Sequence, residues 1–552
     1  MKNMKTTRRE FIRTMAGCAA AAACPGFAFA KGGASSSKPN VVFILGDDVG
    51  YGDLASYGGK IPTPNLDRLG RQGMRFTDAH SPAAYCAPSR CSLLTGDYSH
   101  RFYTPGAWGP ENPSIFLDPY KHTKAGRRIT VGEIMQKAGY RTAFFGKSHL
   151  GGDVRDKDGK VIRNVHGIQK MDFTKGVINS INEHGFDYSY FLPSGIQHAP
   201  LAFFENGIFA PIDPRKPADN RSTRLWKGGR YPGDNGTSEV SDSHGTSTIP
   251  CIGDVDYNSS QVGIMLTRKA LKFIDNHLAE NRVKRQERPF MMYFSSQAIH
   301  VPHTTPKDFD GDASEINEPV EGMGGGRTGD FLYELDMQVG KILKKLDDAG
   351  LTENTIFIFT SDNGALINDQ HNMADYGDTG HDNNGPLKGY KGTIFEGGHR
   401  VPFIVRWPGK VAPGSVSDEP IHALDWVASM YELCGQDMEE DQAMDSTSLL
   451  GLITGKRTSK EPLHPFMLYE RGGNHLPAAI REGDWVLIVN PNNTPRDLYN
   501  LGDDLGQENN LINVPKHREL IDRLRAKFQK YNDRNVRTRQ PRTTKAFSRR
   551  EV

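Results

Sequence analysis

The stretch Val41-Val42-Phe43-Ile44-Leu45-Gly46-Asp47-Asp48 decides the fold class of this chain. Its apolar part shows no alternation with polar residues, which is typical of a strand buried on both faces and hence of a parallel sheet. Open α/β sheets bind ligands at the carboxyl ends of such strands, where Asp47 and Asp48 follow. Surface loops also carry Asp-Asp, but two adjacent carboxylates at a strand end repel each other unless a cation lies between them.

Similar apolar runs recur along the chain and alternate with helical patterns. We predict further strands at residues 140–145, 289–294, 356–360 and 403–409. Helices are predicted at 129–139, 260–274, 332–346 and 423–433, and another begins at Pro64 with Thr63 as its N-cap. Strands that alternate with helices in this way indicate an α/β domain.

Two of these strands end in residues that suit an anion and a cation. Lys147 and His149, two positions apart in extended chain, point the same way, although such a pair is usually a solvated face. Asp362 and Asn363 follow the strand at 356–360, in a sequence that is also a common turn. With Asp47 and Asp48 they form an all-oxygen set that suits Ca²⁺ better than Mg²⁺.

A nucleophile candidate stands in Cys86-Ala87-Pro88-Ser89-Arg90, which continues to Thr95-Gly96. Pro88 suits the first turn of a helix, so Cys86 would face unpaired N–H groups at the helix N-terminus. Arg90 lies four residues further on and shares that face. A lone cysteine near proline and serine is more often a buried structural thiol, and only the longer string favours chemistry.

This string resembles the signature of the type I, formylglycine-dependent sulfatase family, arylsulfatase-like members of the alkaline phosphatase superfamily. The motifs at residues 40–53, 146–149 and 385–402 are similar to other motifs of that family. The resemblance implies a large, mixed, mostly parallel sheet flanked by helices, with a smaller α+β C-terminal domain. It also implies that a maturation enzyme oxidises Cys86 to formylglycine. The implied metal ligands are Asp47, Asp48, Cys86, Asp362 and Asn363, and the implied catalytic residues are Cys86, Arg90, Lys147, His149, His300 and Lys391.

The resemblance further implies a double-displacement mechanism on sulfated polysaccharides or oligosaccharides. One hydroxyl of the hydrated aldehyde attacks sulfur, and His300 or Lys391 protonates the leaving alcohol. His149 then takes the proton of the second hydroxyl, and sulfate is released. Additional substrate contacts are expected from Ser194, His198, His381 and Lys388, whereas His80 is expected to be structural and His303 a loop neighbour.

Composition excludes several other classes of protein. The chain has 552 residues, 24% of them charged, and a net charge of +2, so nothing drives it to nucleic acid or a membrane surface. No apolar run is long enough for a stable membrane span in the mature chain. Six cysteines without metal spacing do not indicate a disulfide scaffold.

The N-terminus has the pattern of an export signal. Arg8-Arg9 within Thr7–Phe11, an alanine-rich stretch and Ala28-Phe29-Ala30 predict a twin-arginine signal peptide over residues 1–30. The alternative is a basic amphipathic helix of the mature fold. Export by the twin-arginine machinery implies a periplasmic or secreted protein. Lipidation at Cys24 is not expected, because no leucine stands at the usual place.

We divide the remainder by composition and pattern. Residues 31–38 read as a linker, 39–445 as the catalytic domain, 446–532 as the C-terminal domain and 533–552 as a basic, disordered tail. We also expect a long polar loop at 211–255 and an acidic, linker-like stretch at 436–447, before the C-terminal domain.

Three competing functions remain open at this point. A phosphodiesterase or phosphonate hydrolase of the same superfamily can share the cysteine signature. A glycan-binding relative that is never modified is the second alternative. A two-zinc phosphatase is disfavoured, because one oxygen-rich metal set is visible and no histidine-rich second set is. The sugar, the sulfate position, endo or exo action and the oligomeric state are not determined by the sequence.

Overall fold

The computed structural model describes residues 38–101, 128–150, 152–162, 165–196, 199–226, 230–233, 236–239, 251–309, 318–366, 374–470 and 477–532. The predicted signal peptide, almost all of the predicted linker, the predicted basic tail and His198 lie outside these residues.

A ten-stranded sheet forms the centre of the catalytic part. Its strands in chain order are β1 (Asn40–Gly46), β2 (Met74–Phe76), β3 (Arg141–Lys147), β4 (Tyr188–Leu192), β5 (Phe204–Glu205), β6 (Ile208–Phe209), β7 (Phe290–Ser295), β8 (Thr355–Ser361), β9 (Phe403–Arg406) and β10 (Ser415–Ser417). Their order across the sheet is β10-β2-β9-β8-β1-β7-β3-β4-β5-β6. The five central strands, β8 to β4, pair in parallel, and the strands next to them on both sides pair antiparallel. The predicted mixed, mostly parallel sheet is confirmed.

The register of the central strands aligns their carboxyl ends. Leu45 lies opposite both Ser295 of β7 and Thr360 of β8, and Ser295 in turn lies opposite Gly146 of β3. The polar residues that follow these positions therefore reach the same edge of the sheet, where ligands bind in open α/β folds.

The α-helices have the following bounds: α1 (Pro64–Gln72), α2 (Cys86–Thr95), α3 (Val131–Lys137), α4 (Val262–Lys284), α5 (Arg327–Asp348), α6 (Glu396–His399), α7 (Asp425–Leu433), α8 (Leu450–Ile453) and α9 (Arg518–Tyr531). The predicted helices are confirmed, although α4 runs further than expected. The shorter 3₁₀ turns span Ala55–Tyr57, Ser99–Arg101, Val165–Lys170, Phe173–Lys175, Ile181–His184, Asn220–Ser222, Ser259–Gln261, Thr352–Asn354, Gly377–Thr379 and Pro515–His517.

Helices cover both faces of the sheet. Phe144 of β3 stacks on Tyr293, whose ring is also next to Trp426 of α7. The next residue, Phe145, contacts Phe273 of α4 instead. Because successive strand residues point to opposite faces, α7 and α4 lie on opposite sides of the sheet. This arrangement explains why the central strands contain apolar runs that do not alternate with polar residues.

The N-terminus of α1 differs from the prediction. Thr63 precedes the helix, but its side chain makes no capping bond to it. Asp336 of α5 caps the helix instead, because its carboxylate accepts hydrogen bonds from the backbone N–H groups of Asn65 and Leu66. A partner this distant in sequence takes over the role of a local cap.

Two regions expected to be irregular are ordered in part. The polar stretch 211–255 contains two antiparallel pairs, Thr223–Trp226 with Cys251–Asp254 and Arg230–Gly233 with Gly236–Glu239. The linker-like interpretation of 436–447 is also wrong in part: residues 442–446 are buried, and Asp445 forms an ion pair with Arg101. Other short pairs join Ala79–His80 to Ile421–His422, Asp153–Val154 to Val177–Ile178 and Asp308–Phe309 to Glu318–Pro319.

The C-terminal part is a four-stranded antiparallel sheet with α9 packed on it. Its strands are β11 (Met467–Glu470), β12 (Pro477–Glu482), β13 (Trp485–Val489) and β14 (Pro495–Asn500). Tyr98 and Leu424 of the catalytic part share an apolar cluster with Leu468 and Phe528, so the two parts pack closely together. Within the described ranges, no helix is long and apolar enough to cross a membrane.

Candidate active site

Acidic and basic residues meet at the carboxyl edge of the central strands. Asp47 follows β1 and is fully buried. Its Oδ2 accepts a hydrogen bond from Nζ of Lys147, the last residue of β3, at 2.7 Å. Asp362 follows β8, and its Oδ1 accepts a hydrogen bond from the backbone N–H of Asp48 at 3.2 Å. The aligned strand ends thus bring together residues that are far apart in the sequence.

Helix α2 brings Cys86 and Arg90 to the same edge. The helix begins at Cys86, as the sequence predicts, and the sulfur lies 3.6 Å from Oδ1 of Asp47 and 4.0 Å from Oδ1 of Asp48. One turn later, Nη2 of Arg90 lies 2.6 Å from Oδ2 of Asp362 and 3.5 Å from Oδ1 of Asp47. The buried guanidinium therefore holds two carboxylates that come from different strands.

Four side chains offer oxygen atoms to a metal ion: Asp47, Asp48, Asp362 and Asn363. The Asn363 amide donates to Oδ1 of Asp48 at 2.7 Å. Within the described part of the chain, this leaves Oδ1 of Asn363 and Oδ2 of Asp48 buried without a hydrogen-bond partner. Buried polar atoms are normally satisfied, and a hard cation would satisfy both. The residues present therefore fit Ca²⁺, which prefers carboxylate and amide oxygens.

Lys391 and His300 approach Asp48 from two loops. Nζ of Lys391 lies 2.6 Å from Oδ1 of Asp48, and Nε2 of His300 lies 3.7 Å from Oδ2. Nδ1 of His300 is 2.6 Å from the carbonyl oxygen of Val301. Because a carbonyl only accepts, Nδ1 carries the proton, and Nε2 is the basic nitrogen that faces the site.

Burial and charge shift the pKa of the Cys86 thiol and of Asp362. Burial, reinforced by the carboxylate of Asp362, raises the pKa of Cys86 to about 12, so the thiol stays protonated at neutral pH. Burial also raises the pKa of Asp362, although Arg90 opposes this shift.

The two groups beside Asp48 shift in opposite directions. Burial disfavours the charge of Lys391, but Asp48 and the neighbouring acids outweigh it and raise its pKa. Burial, followed by the charges of Lys391 and Lys147, lowers the pKa of His300 well below its usual value. At neutral pH the site therefore presents a charged lysine and a neutral histidine.

Of the remaining predicted site residues, two lie beside β3 and one lies outside the described residues. The backbone N–H of His149 donates to the carbonyl of Pro193 at 2.9 Å, which places Ser194, the next residue, next to the Lys147–His149 segment. His198 falls outside the described residues.

His381 and Lys388 have partners elsewhere in the fold. Nε2 of His381 donates to Asp53 at 2.9 Å, and Nδ1 accepts from the backbone N–H of Lys60. Nζ of Lys388 donates to the carbonyl of Gln507 at 3.0 Å. Both side chains thus have partners within the protein, and the substrate contacts expected of them stay predictions.

Sequence reasoning missed Ser295, the last residue of β7. Its Oγ accepts a hydrogen bond from Nη1 of Arg90 and donates to the carbonyl of Lys147. It thereby orients the guanidinium toward the site. A serine at the end of an apolar run is common and gave no signal of this role.

Comparison with known proteins identifies relatives of the whole described chain. The family model described as sulfatase matches residues 39–436, and the one described as N-sulphoglucosamine sulphohydrolase, C-terminal, matches residues 390–534. N-acetylgalactosamine-6-O-sulfatase of Bacteroides thetaiotaomicron is 32% identical over 89% of this chain and 93% of its own length. Human arylsulfatase A is 30% identical over 80% of this chain and 72% of its own length.

Solved structures agree with these matches. A structure from work on glycosaminoglycan metabolism by Bacteroides thetaiotaomicron superposes with a TM-score of 0.68 and 29% identity, covering 90% of this chain and 99% of its own. Phosphonate monoester hydrolase of Agrobacterium radiobacter superposes with a TM-score of 0.54 and 17% identity, covering 89% and 96%. The second likeness shows a shared fold alone.

Proposed function

Because this chain belongs to the sulfatase family and is therefore a sulfuric ester hydrolase, we propose that it removes 6-O-sulfate from N-acetylgalactosamine units of sulfated polysaccharides. The observation that carries this proposal is the convergence of Cys86 with three carboxylates and three cations at one sheet edge. The name of the Bacteroides thetaiotaomicron relative supports the choice of sugar and position, and so does that of canine N-acetylgalactosamine-6-sulfatase, which is 30% identical.

The charges of the site suit a sulfate ester. The acidic groups are Asp47, Asp48 and Asp362, and the basic groups are Arg90, Lys147 and Lys391. Three negative and three positive charges balance each other before a metal ion binds. A divalent cation would leave an excess of two positive charges, which attracts the singly charged sulfate ester.

We assign the metal ion to the oxygen set of Asp47, Asp48, Asp362 and Asn363. Bound Ca²⁺ would polarise a sulfate oxygen and offset the negative charge that develops during transfer. The carboxylates are already positioned without the ion, because Arg90 holds Asp362 and Lys147 holds Asp47.

Cys86 is the proposed site of oxidation to formylglycine by a maturation enzyme. Two observations support this assignment. A thiol is a soft ligand that suits Ca²⁺ poorly, and its raised pKa makes it a poor nucleophile at neutral pH. The hydrated aldehyde would supply an oxygen nucleophile at the same helix N-terminus.

The remaining residues have roles that follow from their charges. Arg90 and Lys147 neutralise the sulfuryl group and fix Asp47 and Asp362. Lys391 donates a hydrogen bond or a proton to the bridging oxygen of the substrate. His300, neutral and with Nε2 toward the site, accepts a hydrogen bond. His149 takes the proton that is lost when sulfate is released.

We further propose that the protein is exported by the twin-arginine route to the periplasm or the medium. The pattern of residues 7–30 supports this proposal, because paired arginines precede an alanine-rich stretch and a cleavage site with small residues. We also propose a division into a catalytic domain (39–445) and a C-terminal domain (446–532), which rests on the composition and pattern of the sequence.

The experiment that tests the function is a sulfate-release assay with protein from the native host. N-acetylgalactosamine-6-sulfate should be hydrolysed at least tenfold faster than the 4-sulfate, and a phosphonate monoester should be a poor substrate. The Cys86→Ala variant should be inactive, and the mass of the peptide with Cys86 should show an aldehyde in place of the thiol. Preference for the 4-sulfate would overturn the proposed position, and an unmodified thiol in active enzyme would overturn the proposed nucleophile.

A further inference from the structure

A second cluster of metal-ligating side chains lies outside the active site. One nitrogen each from His80 and His399 and one carboxylate oxygen of Glu396 lie within 4.8 Å of one another. All three side chains are buried, at 1% exposure or less. Glu396 and His399 are three residues apart in α6, so both project from the same side of one helical turn.

The hydrogen bonds around the two rings leave a conflict between them. Nε2 of His80 lies 2.8 Å from Oδ1 of Asp78, and Nε2 of His399 lies 3.2 Å from the carbonyl oxygen of Ile394. Nη1 of Arg481 also lies 3.2 Å from Nε2 of His80, but it donates to the same Asp78 oxygen at 2.7 Å. The nearest partner of each Nε2 atom is thus an acceptor, so both Nε2 atoms carry the ring proton. Each Nδ1 atom is then unprotonated and carries a lone pair, yet the two atoms face each other at 3.0 Å.

The carboxylate of Glu396 adds a third acceptor. Its Oε2 pairs with Nη1 of Arg400 at 3.1 Å, whereas its Oε1 is buried and has no hydrogen-bond partner among the residues that the structure describes. Among the described residues, the two ring nitrogens thus lie close to a carboxylate that has one unsatisfied oxygen. Buried polar atoms in this state are rare, and a positive ion between them would remove the conflict.

We propose that His80, His399 and Glu396 form a second metal site, which binds Zn²⁺ through the Nδ1 atoms of both rings and the Glu396 carboxylate. Imidazole and carboxylate ligands suit zinc, whereas the all-oxygen set at the active site suits Ca²⁺. Two imidazoles on a tetrahedral zinc ion would be about 3.3 Å apart at nitrogen, so the rings need to separate only slightly from 3.0 Å.

The surrounding groups match the outer shell of a zinc site. Metal-bound histidines usually donate their second N–H to a carboxylate or a backbone carbonyl, as His80 does to Asp78 and His399 to Ile394. The carboxylates of Asp78 and Glu396 are in turn held by Arg400 and Arg481, and Tyr469 stacks on the His399 ring.

The position of the cluster indicates what the ion would do. His80 lies on the segment that leads to Cys86, and Glu396 lies five residues after Lys391. Arg481 and Tyr469 belong to β12 and β11 of the C-terminal sheet. A zinc ion here would fix two active-site segments against each other and against the C-terminal sheet. Because the cluster is fully buried, the ion would enter during folding.

Elemental analysis tests this site without reference to activity. We would produce the protein in medium with added zinc, treat it with a chelator and pass it over a desalting column. The expected content is about one zinc ion per chain. The double variant His80→Asn/His399→Asn should hold less than about a tenth of that. The Asp362→Asn variant, which alters the active site and leaves the three proposed zinc ligands in place, should keep its zinc.

A second measurement on the unchanged protein covers the case in which the double variant does not fold. Zinc X-ray absorption should show nitrogen and oxygen neighbours at about 2.0 Å and the pattern of two imidazoles. A sulfur neighbour at about 2.3 Å would place the zinc at a cysteine and overturn the proposal. Zinc-free, folded wild-type protein would overturn it as well, since the two rings would then share a proton.

Discussion

Lys391 Nζ lies 2.6 Å from Asp48 Oδ1, the same oxygen that lies 4.0 Å from the sulfur of Cys86. The ammonium group is thus held next to the nucleophile position by an acid that also belongs to the metal set. A metal ion bound to Asp48 would weaken the ion pair between Asp48 and Lys391. The ammonium group of Lys391 could then interact with the substrate. This relationship makes Lys391 the best placed donor to the bridging oxygen of a sulfate ester.

We therefore predict that the loss caused by Lys391→Ala depends on the leaving group. A sugar alkoxide needs a proton as it leaves, whereas a nitrophenolate does not. The variant should lose about 10²- to 10⁴-fold in kcat/KM on a sugar sulfate and much less on nitrophenyl sulfate. His300→Ala should lose activity to a similar degree on both substrates, because Nε2 of His300 is not protonated.

Steady-state kinetics of both variants on both substrates provide the measurement. Lys388→Ala is the matched control, since that lysine bonds to the carbonyl of Gln507 and should leave the ratio of the two substrates unchanged. A leaving-group effect confined to His300→Ala would assign the proton to the histidine instead.

The metal set predicts a graded response to loss of its ligands. Asn363→Ala removes one neutral oxygen and should weaken Ca²⁺ binding, with activity restored at high Ca²⁺. Asp362→Ala removes a charged ligand and one of the two carboxylates that hold Arg90, so its activity should stay below about a hundredth of wild type at any Ca²⁺ concentration. Titration of chelator-treated enzyme with Ca²⁺ and Mg²⁺ gives both results. Equal rescue of both variants by Mg²⁺ would contradict the assignment to Ca²⁺.

Much of the fold followed from local pattern. The run at 41–45 and the strands at 140–145, 289–294 and 356–360 are mainly apolar because helices cover both faces of the sheet. The site residues at strand ends could also be identified, because parallel strands of one register deliver their carboxyl ends to one edge. Cys86 and Arg90 share a face for the same local reason, since they lie one helical turn apart.

The remainder depends on contacts between distant segments, which no local pattern encodes. Asp336 caps a helix that begins at Pro64, and Asp445 becomes buried by pairing with Arg101. His80 and His399 meet only after the strands between them are in place. Ser295 has no local mark that distinguishes it from other serines at strand ends.

His381 provides a prediction that separates a structural role from a substrate contact. His381→Ala would leave the buried carboxylate of Asp53 without one of its donors, which costs about 1–3 kcal/mol in the free energy of unfolding. KM should stay close to wild type. His381→Gln keeps an N–H donor and should recover part of the stability. Urea unfolding and initial rates test this together. A tenfold rise in KM with unchanged stability would mean that His381 contacts the substrate.

Glu334 of α5 provides a prediction on pH. Its side chain is fully buried, and Oε1 accepts a hydrogen bond from the Gln338 amide at 3.0 Å. Burial raises its pKa from 4.5 to about 8, although hydrogen bonds from Gln338 and Gln297 oppose the shift. The folded state therefore binds a proton more tightly than the unfolded state does. The resulting stability is complete below pH 4.5 and is lost as the pH rises toward 8.

Glu334→Gln replaces the titrating carboxyl group with a neutral amide. This contribution to the pH dependence of the free energy of unfolding is then lost. Relative to wild type, the variant should gain stability as the pH rises, by about 1.4 kcal/mol for each pH unit between the two pKa values, and the gain should level off above pH 8. Urea unfolding at a series of pH values provides the measurement, with Glu353→Gln, a change at an exposed surface carboxylate, as the control that should show no such trend. A constant difference between the Glu334 variant and wild type from pH 5 to pH 8 would mean that Glu334 is ionised in the folded protein, in which case a positive group must approach it more closely than Gln297 and Gln338 do.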